Sequence, residues 1–267
     1  MMTNDQILEA ARALAKAEAT GQQMGLLSAQ YPAMTIDEAY AVQAVLVGTK
    51  IALGQRQIGW KIGLTSRAMQ QALGITTPDS GVLLDDMLFE DAARVAAGRF
   101  IQPRVEAEIA FIMRTDLKGA DVTHDDVVAA TEYVAPSLEI LDTRILRADP
   151  VTGQGRTIVD TVSDNAANAG IVLGAARHAM GAHDLRVVGA IVKRNGVVEE
   201  TGLGAGVLDD PVTGIIWLVH RLARYGQGLR AGDIVLSGSF IRPIECPSGA
   251  VIEADFGSFG RVSLQFE

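Results

Sequence analysis

Residues 104–113 read RVEAEIAFIM, and this stretch decides the class of fold. In a strand, alternate side chains point to opposite faces, so Glu106 and Glu108 share one face while Val105 and Ile109 share the other. Further along, apolar residues occupy both faces, which is typical of a strand buried on both sides. The stretch therefore predicts a buried strand that carries two carboxylates at its N-terminal end.

Similar apolar runs follow it along the chain, each bounded by glycine, proline or aspartate. They span residues 133–141, 170–173 and 185–192. Asn195-Gly196 lies between two apolar runs, which is the strongest short signal for a β-hairpin. These patterns predict a β-rich body over residues 81–267.

The first eighty residues show a helical pattern instead of a strand pattern. Thr3 and Thr35 are each followed three residues later by Gln or Glu and then by an apolar stripe, the pattern of a capped helix. Ser66 is placed to cap a further short helix that ends near Gly74. We therefore predict an α+β fold with a smaller helical N-terminal part, residues 1–80. The helical part and the β-rich body can also form one domain.

The composition excludes several classes of function. The chain has 267 residues, 23 basic and 32 acidic, and a net charge of −9, which argues against a nucleic-acid or anionic-membrane partner. No apolar run approaches the ~18 residues of a membrane span, and the N-terminus lacks the apolar core of a signal peptide. The single cysteine, Cys246, favours a reducing compartment. We expect a cytoplasmic protein.

The carboxylates of the 104–113 stretch indicate a metal site. Glu106 and Glu108 would lie about 7 Å apart on one face of the strand, and two partly desolvated anions at that separation need a cation. Glu139 lies within the next extended run, among apolar residues, and also needs a partner. Three carboxylates with no nearby Cys or His select a hard cation, so Mg²⁺ or Mn²⁺ is expected.

A second interpretation of the same residues stays open, because Glu-x-Glu is a short and unspecific motif. Glu106 and Glu108 could line a solvated face of a sheet. Glu139 could then pair with an arginine such as Arg104 or Arg144.

For the other candidate residues, the evidence for a functional role is weaker when each is considered alone. Lys61 lies in an apolar run and is either an acid–base group with a lowered pKa or a surface lysine whose stem packs on apolar neighbours. Asp79 lies in a Pro-Asp-Ser-Gly turn, where aspartate is common for conformational reasons. The polar run over residues 163–170 can present amides to a ligand or can simply cap and turn. The histidines lack metal-ligand spacing.

In combination, these residues resemble the hydratase/decarboxylase branch of the fumarylacetoacetate hydrolase superfamily. The matching runs are Lys61–Ser66, Pro78–Gly81, Glu106-x-Glu108 and Glu139. The resemblance extends from about Tyr31 to the C-terminus. Finer runs, at Ser163–Gly170, Arg194–Gly202 and Ser237–Phe240, are similar to the subgroup of hydratases that act on 2-oxohept-4-ene-1,7-dioate in 4-hydroxyphenylacetate breakdown.

The resemblance implies a β-rich, fumarylacetoacetate-hydrolase-like body, a homo-oligomer, and Mg²⁺ or Mn²⁺ held by Glu106, Glu108 and Glu139. It implies a 2-oxo dicarboxylic acid as substrate, with water adding at C4 and a proton going to C3. Lys61 and Asp79 are then the expected acid–base or water-orienting groups. The expected substrate-binding residues are Ser163, Asn165, Ser239 and Arg144. The candidates for the second carboxylate are Arg67, Arg144, Arg147 and Arg156.

The same residues are also consistent with three rival functions. A 4-oxalocrotonate-type decarboxylase would use the same metal and the same dienolate but lose CO₂. A 2-hydroxypentadienoate hydratase would act on a shorter substrate. From a different class, the chain could be a non-catalytic subunit associated with a decarboxylase of the pathway.

Overall fold

The computed structural model describes residues 1–67, 70–71 and 75–267. The helices are α1 (Asn4–Thr20), α2 (Leu27–Gln30), α3 (Ile36–Ala52), α4 (His124–Ala130), α5 (Ile158–Ser163) and α6 (Pro211–Ala223). The strands of the first half are β1 (Gln57–Gly63), β2 (Asp79–Leu84), β3 (Leu88–Phe89), β4 (Ala93–Val95), β5 (Arg104–Met113) and β6 (Thr131–Leu141). Those of the second half are β7 (Asn168–Leu173), β8 (Gly189–Arg194), β9 (Val197–Leu203), β10 (Ile234–Leu236), β11 (Ile244–Glu245), β12 (Val251–Asp255) and β13 (Arg261–Phe266).

The first long helices begin where the sequence predicts. Thr3 caps α1 and Thr35 caps α3, each in a capping box in which the side chain three residues on bonds back to the cap. The short helix expected to end near Gly74 lies partly outside the described residues. The α+β prediction is confirmed, and among the helices of the described ranges none is long and apolar enough to cross a membrane.

The larger sheet holds the predicted carboxylate strand near its centre. Its strand order is β2-β1-β10-β5-β6-β7-β3, and β11 pairs with the N-terminal end of β5. The pairing of β5 with β6 is antiparallel and sets Glu106 directly opposite Glu139. This register brings together two carboxylates that are 33 positions apart in the sequence.

The second sheet, in the order β4-β13-β12-β8-β9, supplies the other wall of the main core. Ile252 and Phe266 of this sheet share one buried cluster with Phe111 of β5 and Leu218 of α6. The β8–β9 hairpin turns at Asn195-Gly196 as predicted, and both residues have positive φ, which a tight primed turn requires.

Helices α1, α3 and α5 form a helical layer that packs over one part of the large sheet. Leu14 of α1 and Leu46 of α3 share a separate apolar cluster with Val162 of α5, which comes from the second half of the chain. Strand β1 belongs to the large sheet although it lies within residues 1–80. The helical part and the β-rich body therefore share this sheet through β1.

Candidate metal centre and active site

Three carboxylates converge at the β5–β6 pairing. Glu106 and Glu139 face each other across the two strands, and Glu108 follows two residues along on the same face. One oxygen from each of the three carboxylates lies within 4.8 Å of the others. This is the cluster that the sequence predicted.

Burial excludes the interpretation of these residues as a solvated sheet face. Glu108 and Glu139 are fully buried, and Glu106 is partly buried. Burial and the repulsion of Glu139 raise the pKa of Glu106 to about 8, and the same two causes raise the pKa of Glu108 well above its usual value. Oε1 of Glu108 and Oε2 of Glu139 have no hydrogen-bond partner among the described residues. Such a cluster is costly unless a cation joins it.

The donor set fits a hard divalent cation. Carboxylate oxygens are the ligands that Mg²⁺ and Mn²⁺ prefer, and three protein ligands leave positions for water or substrate. The unpartnered oxygens of Glu108 and Glu139 are the atoms that such an ion would satisfy. The cluster can therefore hold a divalent metal.

Lys61 of β1 is the cation nearest to these carboxylates in the described part of the chain. Its side chain is buried, and its Nζ lies 3.1 Å from Oε1 of Glu139. It is therefore not a surface lysine, and Glu139 pairs with this lysine instead of with Arg104 or Arg144. Burial alone would lower the pKa of Lys61, but Glu139 and Asp79 outweigh it and raise the pKa, opposite to the direction expected from the sequence.

Asp79 lies beside Lys61 because β2 pairs with β1 so that Asp79 faces Gly63. The Asp79 side chain is buried, and its Oδ1 has no hydrogen-bond partner in the described part of the chain. Burial raises its pKa, and the charge of Lys61 works in the opposite direction. A β-carbon on Gly63 would lie 2.3 Å from Asp79 Oδ1 and 3.2 Å from Lys61 Nζ. The missing side chain of Gly63 thus makes the room in which the two groups meet.

If Lys61 and Asp79 act on a substrate, Gly63→Ala is expected to lower kcat by about 100-fold, because a displacement of about 1 Å at such groups has this effect. The added methyl group must push Asp79 away from its present position. Steady-state kinetics with saturating Mg²⁺ would measure the loss. Gly48→Ala in α3 is the matched control, because a β-carbon there meets nothing within 4 Å and should leave kcat unchanged. Equal kcat for the two variants would contradict the role of Gly63.

A backbone amide completes the environment of Glu108. The N–H of Gly238 donates to Glu108 Oε2 at 2.7 Å. Gly238 has φ +115, and a β-carbon there would overlap Thr65, so the position needs glycine. Reasoning from the sequence singled out the run Ser237–Phe240 but did not find this role, because the contact depends on the path of the chain after β10.

A cavity of about 600 Å³ opens beside the carboxylates. Lys61, Asp79, Glu106 and Ser239 line it, which places four of the predicted site residues at one surface. Apolar walls come from residues such as Leu141 and Ile241, and cationic groups come from Arg104, Arg147, Arg156 and Arg242. The volume suits a small organic acid.

Three of the predicted substrate-binding residues lie behind this surface instead of on it. Arg144 is buried against Asp164 and donates to the carbonyls of Asp164 and Asn168. The hydroxyl of Ser163 donates to Val159 O within α5. These bonds leave neither side chain free for a ligand.

Asn165 also has a supporting position. Its side chain accepts from the N–H of Val82 and donates to the carbonyl of Val82 in β2. Asn165, Ala166 and Ala167 all have positive φ, which is strained for residues with a β-carbon. Ala166 and Ala167 line the cavity, so Asn165 and Arg144 hold a strained turn that forms its wall.

Similar proteins identify the family and the fold. The chain is 46% identical over 256 residues to a 2-oxo-hept-4-ene-1,7-dioate hydratase of Escherichia coli, covering 96% of each chain. The chain belongs to the hydratase/decarboxylase branch of the fumarylacetoacetate hydrolase superfamily. It is also 40% identical over 266 residues to a 2-keto-4-pentenoate hydratase of Paraburkholderia xenovorans, covering all of this chain and 97% of that one.

Solved structures agree with this membership. A 4-oxalocrotonate decarboxylase of Pseudomonas putida G7, complexed with magnesium and adipate, has a TM-score of 0.93 and 31% identity, and covers 100% of this chain and 99% of its own. A fumarylacetoacetate hydrolase of Exiguobacterium antarcticum, at 16% identity and a TM-score of 0.58, covers 79% of this chain and 75% of its own and shares the fold alone. No protein-family model matches the sequence.

Proposed function

We propose that the protein is a divalent-metal-dependent hydratase that adds water to C4 of 2-oxohept-4-ene-1,7-dioate and forms 4-hydroxy-2-oxoheptanedioate. The observation that carries the proposal is the buried cluster of Glu106, Glu108 and Glu139 with Lys61 beside it, at the wall of a cavity that fits a small organic acid. The 46% identity to a hydratase of that name supports the choice of substrate. Such a reaction belongs to aromatic catabolism.

Glu106, Glu108 and Glu139 are the residues that would hold the metal, Mg²⁺ or Mn²⁺. When bound, the ion supplies Lewis-acid stabilisation for the negative charge that develops on the substrate during proton movement. Lys61 is protonated before the reaction, because the surrounding carboxylates raise its pKa, and it therefore brings a buried positive charge to the cavity wall and can donate a proton there. Asp79 lies next to it with an unpartnered oxygen. We assign these two side chains the transfer of protons and the orientation of water.

The reaction balances with water as the second reactant. The 2-oxo-4-ene and the 2-hydroxy-2,4-diene are tautomers, because moving a proton from C3 to the 2-oxo oxygen converts the first into the second. Moving that enol proton on to C5 gives the 2-oxo-3-ene, with no change in composition. The oxygen of water then bonds to C4, one of its protons goes to C3, and the other stays on the new hydroxyl. In the proposed assignment Asp79 takes the proton from the attacking water. Ser239 lies on the same wall, where its hydroxyl donates to Ile241 O and accepts from the N–H of Ile241.

The test is the loss of dienol absorbance when the protein is mixed with 2-hydroxyhepta-2,4-diene-1,7-dioate and Mg²⁺. Turnover that stops with EDTA and returns with excess Mg²⁺ would support the proposal. No turnover with either Mg²⁺ or Mn²⁺ would overturn it.

The decarboxylase alternative has its own support, because the chain superposes on a 4-oxalocrotonate decarboxylase over its whole length. Both reactions would use the same carboxylates and Lys61. Release of CO₂ from an oxalocrotonate-type substrate would favour the decarboxylase, and a faster reaction with the five-carbon dienoate would favour a pentenoate hydratase. Failure on every substrate, with co-purification of a pathway decarboxylase, would favour the non-catalytic subunit.

The proposal includes a cytoplasmic homo-oligomer that can associate with a pathway decarboxylase. Val197, Val198 and Leu203 are each more than half exposed on β9, which is an edge strand of the smaller sheet. An exposed apolar edge strand is a common site of association. Light scattering is expected to give a mass that is a multiple of the monomer mass, and a monomer at micromolar concentration would contradict this part of the proposal.

A further inference from the structure

Three arginine side chains gather on one wall of the cavity. Arg104, Arg147 and Arg156 all line it, although they come from the start of β5 and from the segment between β6 and α5. Burial is the main cause of a lowered pKa at Arg156; the charge of Asp164 raises that pKa, and the positive charges of Arg104 and Arg147 lower it. The three guanidinium groups are therefore close enough to repel one another.

The cluster keeps buried hydrogen-bond donors that the described residues do not satisfy. Arg147 pairs with Glu245 at 2.5 Å. Arg104 and Arg156 form no ion pair with a carboxylate in the described ranges. Nε of Arg104, Nε of Arg147 and Nη1 of Arg156 are buried and have no hydrogen-bond partner among the residues described. Buried donors on repelling cations are unfavourable unless an anion joins them.

The distance from the three carboxylates to the arginine cluster sets the length of a ligand that could reach both. Arg104 lies two residues before Glu106 on the same face of β5, so their Cα atoms are about 7 Å apart. A ligand whose 2-oxo acid end lies at the Glu106, Glu108 and Glu139 cluster would extend from there toward the arginines. A short aliphatic diacid has its second carboxylate at that distance.

Three other arginines, of which the sequence offered Arg67 and Arg144, do not match this position. Arg67 is exposed and pairs with Asp209, away from the cavity lining. Arg144 is committed to Asp164 behind the wall. Arg242 reaches the cavity, but its guanidinium is exposed and pairs with Glu200. Arg156 combines a place in the lining with a buried, unpartnered donor.

We propose that Arg156, supported by Arg104 and Arg147, forms an anion subsite that binds the second carboxylate of a dicarboxylic substrate and selects diacids over monoacids. This inference rests on the proposed function for the identity of the substrate. Guanidinium groups suit the role because they stay charged and can form paired hydrogen bonds to a carboxylate.

The test compares Arg156→Gln with the wild-type enzyme on two matched ligands. With Mg²⁺ present, isothermal calorimetry measures the affinity for 2-oxoheptanedioate and for 2-oxoheptanoate, which have the same chain length and 2-oxo acid end and differ only in the second carboxylate. Losing a charged hydrogen-bond partner should weaken binding of the diacid by about 10- to 100-fold. Binding of the monoacid should change by less than about threefold. Arg104→Gln should show the same pattern if the cluster acts as a unit.

Arg186→Gln is the control, because it removes an exposed guanidinium that pairs with Asp184 and lies outside the cavity lining. It should bind both ligands as the wild type does. An equal loss for both ligands in Arg156→Gln would place the 2-oxo acid end at the arginines, and no loss for either would remove Arg156 from binding. Either result overturns the subsite. Because calorimetry needs no turnover, the proposed reaction can fail while this inference holds, and the reverse is also true.

Discussion

Glu108→Gln is expected to lower kcat by about 1000-fold, because it removes one charged ligand from the cluster that would hold the metal. The amide oxygen of glutamine can still accept the N–H of Gly238, so the fold around the site should survive. Turnover of the seven-carbon dienol in saturating Mg²⁺ measures the loss. Binding of Mn²⁺, followed by its electron paramagnetic resonance signal, should weaken in parallel.

Glu132→Gln is the control for this variant. Glu132 is on the same strand as Glu139 but is exposed. Its replacement should change neither kcat nor affinity for Mn²⁺. If Glu108→Gln kept both the Mn²⁺ affinity and the turnover of the wild type, the carboxylate cluster would not be the metal site.

Lys61→Met is expected to lower kcat by about 100- to 10,000-fold, the range for loss of a positioned proton-transfer group. Asp79→Asn should lower kcat within the same range. The three carboxylates stay in place, so the Mn²⁺ signal should persist in both variants, which distinguishes this effect from the loss of metal. A lower melting temperature is also expected for Lys61→Met without metal, because Glu139 loses the ammonium 3.1 Å from its oxygen.

Lys50→Met serves as the matched control, because Lys50 pairs with Glu18 on the helical layer and such a partly exposed ion pair contributes little. Its kcat should equal that of the wild type. Near wild-type kcat in both Lys61→Met and Asp79→Asn would refute the acid–base assignment.

The sequence predicts the carboxylate cluster because its signals are local. Alternation along 104–113 puts Glu106 and Glu108 on one face, and Glu139 is conspicuous as a charge in an apolar run. The alternation cannot give the register that sets Glu139 opposite Glu106, because pairing depends on the whole sheet.

The supporting roles could not be predicted in the same way. Asn165 occurs in a run that resembles those of related hydratases, and Arg144 was one of several arginines considered for the second carboxylate, which made both candidates for substrate contact. Their side chains in fact bond to Asp164 and Val82 behind the cavity wall. A motif indicates that a residue is needed at a site, but it does not indicate whether the side chain of that residue contacts the ligand or the rest of the protein.

Gly63 and Gly238 illustrate a related limit. Each is needed because a β-carbon would collide with a side chain from a distant part of the sequence: Asp79 for Gly63 and Thr65 for Gly238. Steric requirements of this kind become visible only when both partners have been placed in space.

The most direct test of the account is the mass of the product that the wild-type protein forms from 2-hydroxyhepta-2,4-diene-1,7-dioate in Mg²⁺, with an EDTA-treated sample beside it. The account predicts a product heavier than the substrate by one water, absent after EDTA. A product lighter by CO₂, or the same product in the presence of EDTA, would contradict it.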